Sequence, residues 1–144
     1  MSQKAGVFII HNKKLLIGHP TRHDPLFYSI PKGKIDEAEN PAHAMTRELK
    51  EETDYDFNDF DGDIPRYLGK FRYKNKRHSI HFFYIILNSK PIKEAVCKSF
   101  VNEDPSFPEV DWYKWVSFSE ALQHLHEAQR KALRILINKL NVYD

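Results

Sequence analysis

Short apolar runs at residues 6–10 and 15–17 flank the polar His11-Asn12-Lys13-Lys14, which predicts a strand, a tight turn and a second strand. Residues 20–31, with a proline at each end and Phe27 and Tyr28 inside, read as a loop. Asn40-Pro41 is a helix start, asparagine as the N-cap and proline in the first turn. The helix runs to about Thr53, with Ala42, Met45 and Leu49 as its apolar stripe. Residues 54–63 are acidic and turn-rich, and no register gives them a calcium-loop pattern, so they read as a solvated loop. Residues 67–73 and 79–87 follow as strands joined by a basic turn at 74–78, and 111–116 as a further short strand. Ser117 and Glu120 have capping-box spacing, which opens a helix to about Glu127. Residues 128–140 continue as a terminal amphipathic helix with Leu133, Leu136, Ile137 and Leu140 on its inner face. With no repeat, low-complexity tract or linker, residues 1–144 are expected to form one α/β domain.

Composition narrows the class. The 144 residues suffice for one core, and 41% hydrophobic with 13% aromatic content is that of a globular chain. A formal net charge of +2 is too balanced for a nucleic-acid coat or a membrane-surface protein. Cys97 is the only cysteine, which rules out an intrachain disulfide and a cysteine-based zinc site. The apolar run at 7–10 is too short for a signal peptide, and the longest, 82–87, is a buried strand rather than a membrane span. A reducing, cytoplasmic setting without a membrane is the expectation.

One local pattern carries chemistry. On the helix at 41–53, Glu48, Glu51 and Glu52 fall within an arc of about 100°. Like charges so close repel, and a helix face of this kind makes sense with a cation on it. Oxygen donors with no thiolate nearby favour Mg²⁺, with Mn²⁺ as the alternative. Gly33 gives a tight loop ahead of the helix, from which the Lys32 carbonyl can turn inward as a further oxygen ligand. Arg47, four residues before Glu51, can steady the carboxylates or orient Glu48, and Glu39 is placed to hold Arg47 or the loop. Such ions work on substrates that bring phosphate oxygens, so the inferred reaction is metal-assisted attack of water on a phosphoanhydride.

At these residues the chain resembles the Nudix hydrolase family. The signature G-x5-E-x7-R-E-U-x-E-E-x-G-U, with U apolar, is met at Gly33, Glu39, Arg47, Glu48, Leu49, Glu51, Glu52 and Tyr55; only Asp54 departs, standing where the family has glycine. Weaker resemblance extends over most of the chain, through Glu109, Trp115-Val116 and Glu120-Ala121. The resemblance implies an α/β/α sandwich with a mixed β-sheet and hydrolysis of nucleoside diphosphates linked to another moiety. It implies Glu48, Glu51 and Glu52 as metal ligands, with Arg47 and Glu39 supporting them. Asp54 is expected to alter the helix end rather than catalysis, since aspartate tolerates the left-handed conformation at modest cost. The general base in many members is a glutamate outside the signature; here Glu109 is the first candidate and Glu103 the second, with Glu48 itself as the third.

The substrate is less defined. Ser29-Ile30-Pro31-Lys32-Gly33-Lys34 is similar to the opening of Nudix enzymes acting on dinucleoside polyphosphates, inositol polyphosphates and mRNA caps. Lys32 and Lys34 would set positive charge beside a polyphosphate. Gly18-His19-Pro20 is similar to a branch described as nucleoside triphosphate pyrophosphohydrolases. Arg66, Lys70, Arg72, Lys74, Lys76, Arg77 and His78 form a basic hairpin, and alternation predicts Lys70, Arg72 and Lys74 on one face with Phe71 and Tyr73 on the other. Tyr28, Phe27 and Tyr84 are candidates for stacking on a base, whereas His81, in an apolar strand, reads as structural. Three functions remain in view. The first is a magnesium-dependent pyrophosphohydrolase for a small nucleotide, a dinucleoside polyphosphate foremost. The second removes pyrophosphate or a cap from an RNA 5′ end, and the third is a non-catalytic binding module of the same fold.

Overall fold

The computed structural model describes residues 2–62, 64–73, 77–100 and 108–140. The hairpin expected at the start is present: β1 (Ser2–His11) turns through Asn12 and Lys13, both left-handed with φ of 52° and 62°, into β2 (Lys14–Pro20). Two successive positive-φ residues give the turn a twist that matches paired strands. Then come β3 (Lys32–Lys34), α1 (Pro41–Thr53), a 3-10 turn (Phe57–Asp59), β4 (Asp61–Gly62), β5 (Arg66–Arg72) and β6 (His78–Ser89). The chain closes with β7 (Val110–Ser117), α2 (Phe118–His124) and α3 (Glu127–Leu140).

The strands form one mixed sheet in the order β4-β6-β1-β2-β7, with β3 also on β1 and β5 also on β6. β1 and β6 run parallel from Ser2 opposite His78 to Ile10 opposite Ile86, while the other pairs are antiparallel. In β1 the residues from Ala5 to Ile10 are buried without a break, as a strand covered on both faces must be. One face, with Ala5, Val7, Ile9, Phe83 and Ile85, packs on Ala44, Met45 and Leu49 of α1. The other, with Phe8, Ile10, Ile80, Phe82 and Tyr84, packs on α2 and α3 through Ala121, Ala132, Leu133 and Leu136. This is the α/β/α sandwich with a mixed sheet.

Several local expectations are corrected. Ala42 is exposed, and Ala44 takes its place in the apolar stripe of α1. Residues 32–34 form β3 rather than loop because Gly33 lies opposite Ala5 on β1, a pairing between distant segments. The acidic stretch, of which Asp63 lies outside the described residues, contains the 3-10 turn and β4. The helix after Ser117 ends at His124, not near Glu127, since Leu125 turns extended (φ −70°, ψ 150°) and buries its side chain while bridging to Tyr28. α3 steadies the approach to β3: Gln129 accepts from the Ile30 N–H at 3.0 Å and donates to Ser29 Oγ at 3.0 Å. Among the described residues no helix is long and apolar enough to cross a membrane.

Candidate active site

α1 starts where Asn40 accepts the His43 N–H at 2.8 Å, with Pro41 in the first turn. Its inner stripe faces the sheet, which leaves Glu48, Glu51 and Glu52 fanned from the crevice beside β3 out to solvent. Exposure follows this gradient: residue Glu52 is 7% exposed, and the side chains of Glu48 and Glu51 are 15% and 52% exposed. Glu48 packs on the bare backbone of Gly33, where an added Cβ would lie 1.9 Å from its carboxyl carbon. Glu52 Oε2 accepts the Lys32 N–H at 3.3 Å. Val7 donates to the Pro31 carbonyl and Ile35 to that of Gln3, so the alternate residue Lys32 turns its amide and carbonyl away from β1, toward α1.

Arg47 knits the array. Its Nε and Nη2 donate to the two oxygens of Glu39 at 2.8 and 2.9 Å, the bidentate geometry that makes arginine–carboxylate pairs strong. Nη1 donates to Glu48 at 3.0 Å and to Glu51 at 3.1 Å, and Nη2 also reaches the Lys34 carbonyl at 2.8 Å. Glu39 further accepts the Asp36 N–H at 2.9 Å and lies 3.0 Å from the His43 ring. Hydrogen bonds from Arg47 hold the Glu39 carboxyl down at about 2. Burial pushes Glu48 up, helped by Glu51 and Glu109 and opposed by Arg47. Glu52 is pushed up to about 8, by burial first and then by the charges of Glu48 and Glu109, against the pull of Lys32.

Among the described residues no three His, Cys, Asp or Glu side chains are grouped to hold a metal as they stand; Glu48 and Glu51 both pair with Arg47 Nη1 instead. The donor chemistry nevertheless fits a hard divalent ion. Two neighbouring carboxylates are forced together in a crevice where burial and mutual repulsion disfavour their charge, and all the donors are oxygens.

Glu109 is exposed, at the start of the run into β7, within electrostatic range of Glu48 and Glu52. Its backbone is fixed on both sides, its N–H donating to Ser99 at 2.8 Å and its carbonyl accepting from Thr21 at 3.0 Å. Glu103 lies outside the described residues.

The other candidates separate. Tyr28 is corrected from a stacking platform to a core residue: it is 2% exposed, donates to Glu120 at 2.7 Å and packs on Trp112 and His124. Tyr84 is likewise buried in the core. Phe27 turns the other way, edge-on to His126 at 6.4 Å and stacked on His23 at 4.7 Å. Lys70 and Arg72 lie opposite His81 and Ser79, while Phe71 and Tyr73 pack into the α3 core, as alternation predicted. Lys74 and Lys76 lie outside the described residues. His81 joins Tyr67 and Gln3 at 2.8 Å each, a structural role in a strand.

The structure adds Lys4 to the expected pair of Lys32 and Lys34. Lys34 lies opposite Lys4 and Lys32 opposite Gly6, so all three lysines share the α3 face, away from Lys70 and Arg72. Burial, Lys32 and Lys34 lower the pKa of Lys4. Its ammonium is 5.8 Å from the Tyr73 ring, which lies 5.3 Å from His126. Burial and then Lys32 lower His126 in turn. No sequence signal marked Lys4 or His126, because their neighbours arrive only through strand pairing and the packing of α3.

The family model described as the NUDIX domain matches residues 2–136. No curated protein matches the chain. Among solved structures, similarity extends to a C. elegans Ap4A hydrolase in a binary complex, at 20% identity and a TM-score of 0.70 over 97% of this chain and 99% of that one. A MutT protein from Methanosarcina mazei Go1 aligns at 14% identity and a TM-score of 0.69, over 98% of this chain and 96% of the other. The E. coli dihydroneopterin triphosphate pyrophosphohydrolase aligns at 21% identity and a TM-score of 0.66, covering 95% of each chain.

Proposed function

The chain belongs to the Nudix family and is a pyrophosphohydrolase by class, and from that premise we propose that it cleaves a phosphoanhydride in a small nucleotide, a dinucleoside polyphosphate foremost. Glu48, Glu51, Glu52 and the Lys32 carbonyl would hold Mg²⁺ or Mn²⁺. Such an ion, when bound, neutralises phosphoryl oxygens and acidifies water. The observation that carries this reading is the Glu48–Glu52 pair, pressed against Gly33 and Lys32, where burial and mutual repulsion raise both carboxylates despite Arg47 and Lys32 and so favour a bound cation. Arg47 orients Glu48 and Glu51 from a position that Glu39 fixes. Glu109, exposed and within range of the pair, is the proposed proton acceptor for the attacking water.

Lys4, Lys32 and Lys34, on the α3 face at the β3 edge, supply positive charge for a phosphate chain, with Lys4 and Lys32 reaching Glu52 electrostatically, and Phe27 with His126 offers ring surface for a base. The likeness in fold to a C. elegans Ap4A hydrolase agrees with a dinucleoside polyphosphate. An RNA 5′ end has less support, because Lys4 and Lys32 act electrostatically on Glu52, whereas Lys70 and Arg72 are not among the charges that shift Glu48 or Glu52. The non-catalytic reading has less still, since every carboxylate of the signature is present.

Turnover with Mg²⁺ on diadenosine polyphosphates, ADP-ribose, nucleoside triphosphates and 5′-triphosphorylated RNA tests the reading. The dinucleoside polyphosphates are expected to be the best substrates, and Glu52→Gln to lose turnover while staying folded, since burial already favours a neutral side chain there. Full hydrolysis by Glu52→Gln overturns the metal assignment. Strongest turnover on RNA, lost on neutralising Lys70 and Arg72, overturns the substrate.

A further inference from the structure

Position 54 closes α1 in the left-handed conformation, at φ 66°, with its N–H donating to Lys50. Glycine would do this without steric cost, so capping alone does not account for an aspartate. Its carboxylate is occupied by three lysines: Lys98 at 2.8 Å, Lys93 at 3.1 Å and Lys50 at 3.3 Å. Lys50 belongs to the helix, but Lys93 and Lys98 come from the segment between β6 and β7.

That segment has no helix or strand over residues 90–99 and is fastened to the end of α1 instead. The Val96 N–H donates to the Thr53 carbonyl at 2.9 Å, the Tyr55 hydroxyl to the Lys93 carbonyl, and Lys93 Nζ to the Asp54 carbonyl at 2.7 Å. The residue after Lys98 is Ser99, whose carbonyl accepts the Glu109 N–H at 2.8 Å, and Phe100 bridges to Pro108 beside it. A short path therefore leads from Asp54 through Lys98 and Ser99 to Glu109. Without the carboxylate, three ammonium groups would converge and repel, a repulsion offset in part by Asp56, 3.8 Å from Lys50, and Asp59, 3.7 Å from Lys93.

We infer that Asp54 is a positioning residue: its carboxylate gathers Lys93 and Lys98, clasps the 93–99 segment to the end of α1, and so holds Glu109 in place beside Glu48 and Glu52. The purpose given to this clasp rests on the proton-accepting role proposed for Glu109; the clasp itself does not. Exposed ion pairs add little to stability, so its loss is read in placement rather than in folding.

Asp54→Asn and Asp54→Gly both keep a residue that accepts the left-handed conformation while removing the charge. Amide hydrogen exchange by NMR on the whole chain should show Val96 and Glu109 exchanging at least about tenfold faster in both variants, with the amides of residues 44–53 unchanged. On the best nucleotide with Mg²⁺, kcat should fall by about tenfold or more at unchanged KM. In a Glu109→Gln background, Asp54→Asn should add no further loss, as it must if it acts through Glu109. Unchanged exchange at Val96 and Glu109, full kcat in Asp54→Asn, or losses that add in the double variant each overturn the inference. Full activity in Glu109→Gln alone is a failure of the proposed proton acceptor, and the exchange measurement then decides the clasp by itself.

Discussion

A single missing atom shapes the site. Gly33 carries no Cβ, and the Glu48 carboxyl occupies the space where one would be. Gly33→Ala should displace Glu48 and lower kcat by about a hundredfold, the scale of a misplaced catalytic group, with the fold retained; steady-state kinetics beside circular dichroism would show it, and wild-type kcat would remove the argument. His19 is a second residue whose role is set by its neighbours. Its Nδ1 faces Asp111 at 2.7 Å, and its Nε2 faces the carbonyls of Asp24 and His23 at 3.0 and 3.2 Å. Acceptors on both ring nitrogens favour the doubly protonated form. Burial opposes it, yet Asp111 and the two carbonyls raise the pKa on balance. A raised pKa means stability that is full below 6.5 and declines as pH rises through the higher folded value. Glu52, pushed up to about 8, adds a decline of the same sign between its ordinary range and that value. The fall of Tm between pH 6.5 and 9 should thus be shallower in His19→Gln than in the wild type, and equal slopes would exclude His19 as a contributor.

Among the elements, α1 was read almost whole from the sequence, because its start and stop are local. The Asn40 side chain, Pro41 and the left-handed Asp54 set its ends within a few residues of chain. Asn40→Ala should cost about 1 kcal/mol in urea unfolding, the worth of an N-cap side chain, without changing KM. The stripe that periodicity places at Ala42 begins at Ala44 instead, since only the sheet decides which edge of the helix is covered. β3 is not legible in the sequence for the same kind of reason: three residues carry no periodicity, and their partner on β1 lies about thirty residues away in the chain. The break between α2 and α3 was also invisible. Leu125 leaves the helical path to fill the core beside Tyr28, which no local propensity requires.

At the scale of the whole molecule, the sheet sorts the charged groups onto two faces. Lys4, Lys32 and Lys34 look toward α3, whereas Lys70 and Arg72 share the face of α1. Lys4 nevertheless interacts electrostatically with Glu48 and Glu52, and Arg72 is not among the charges that shift either. Lys4→Gln should raise KM for dinucleoside polyphosphates severalfold and leave that for ADP-ribose nearly unchanged, while Arg72→Gln should alter neither. A ligand that binds only the folded state raises stability by about 2.7 kcal/mol at a hundredfold excess over its Kd. Saturating Mg²⁺ should accordingly raise the Tm of the wild type and not that of Glu52→Gln, and an equal rise in both would place the ion elsewhere.

By itself the sequence determined the carboxylate face of α1, its spacing from Gly33, Glu39 and Arg47, and the family that this spacing implies. Those features lie within a 23-residue stretch, and helical geometry sets which of its carboxylates share a face of α1. Only the tertiary structure decided that Tyr28 is core and Phe27 half-buried, that Lys4 and His126 stand beside Lys32, and that Asp54 reaches Glu109 through Lys98 and Ser99. Each of these joins segments far apart in the chain, whose meeting depends on strand register and core packing rather than on any local run of residues.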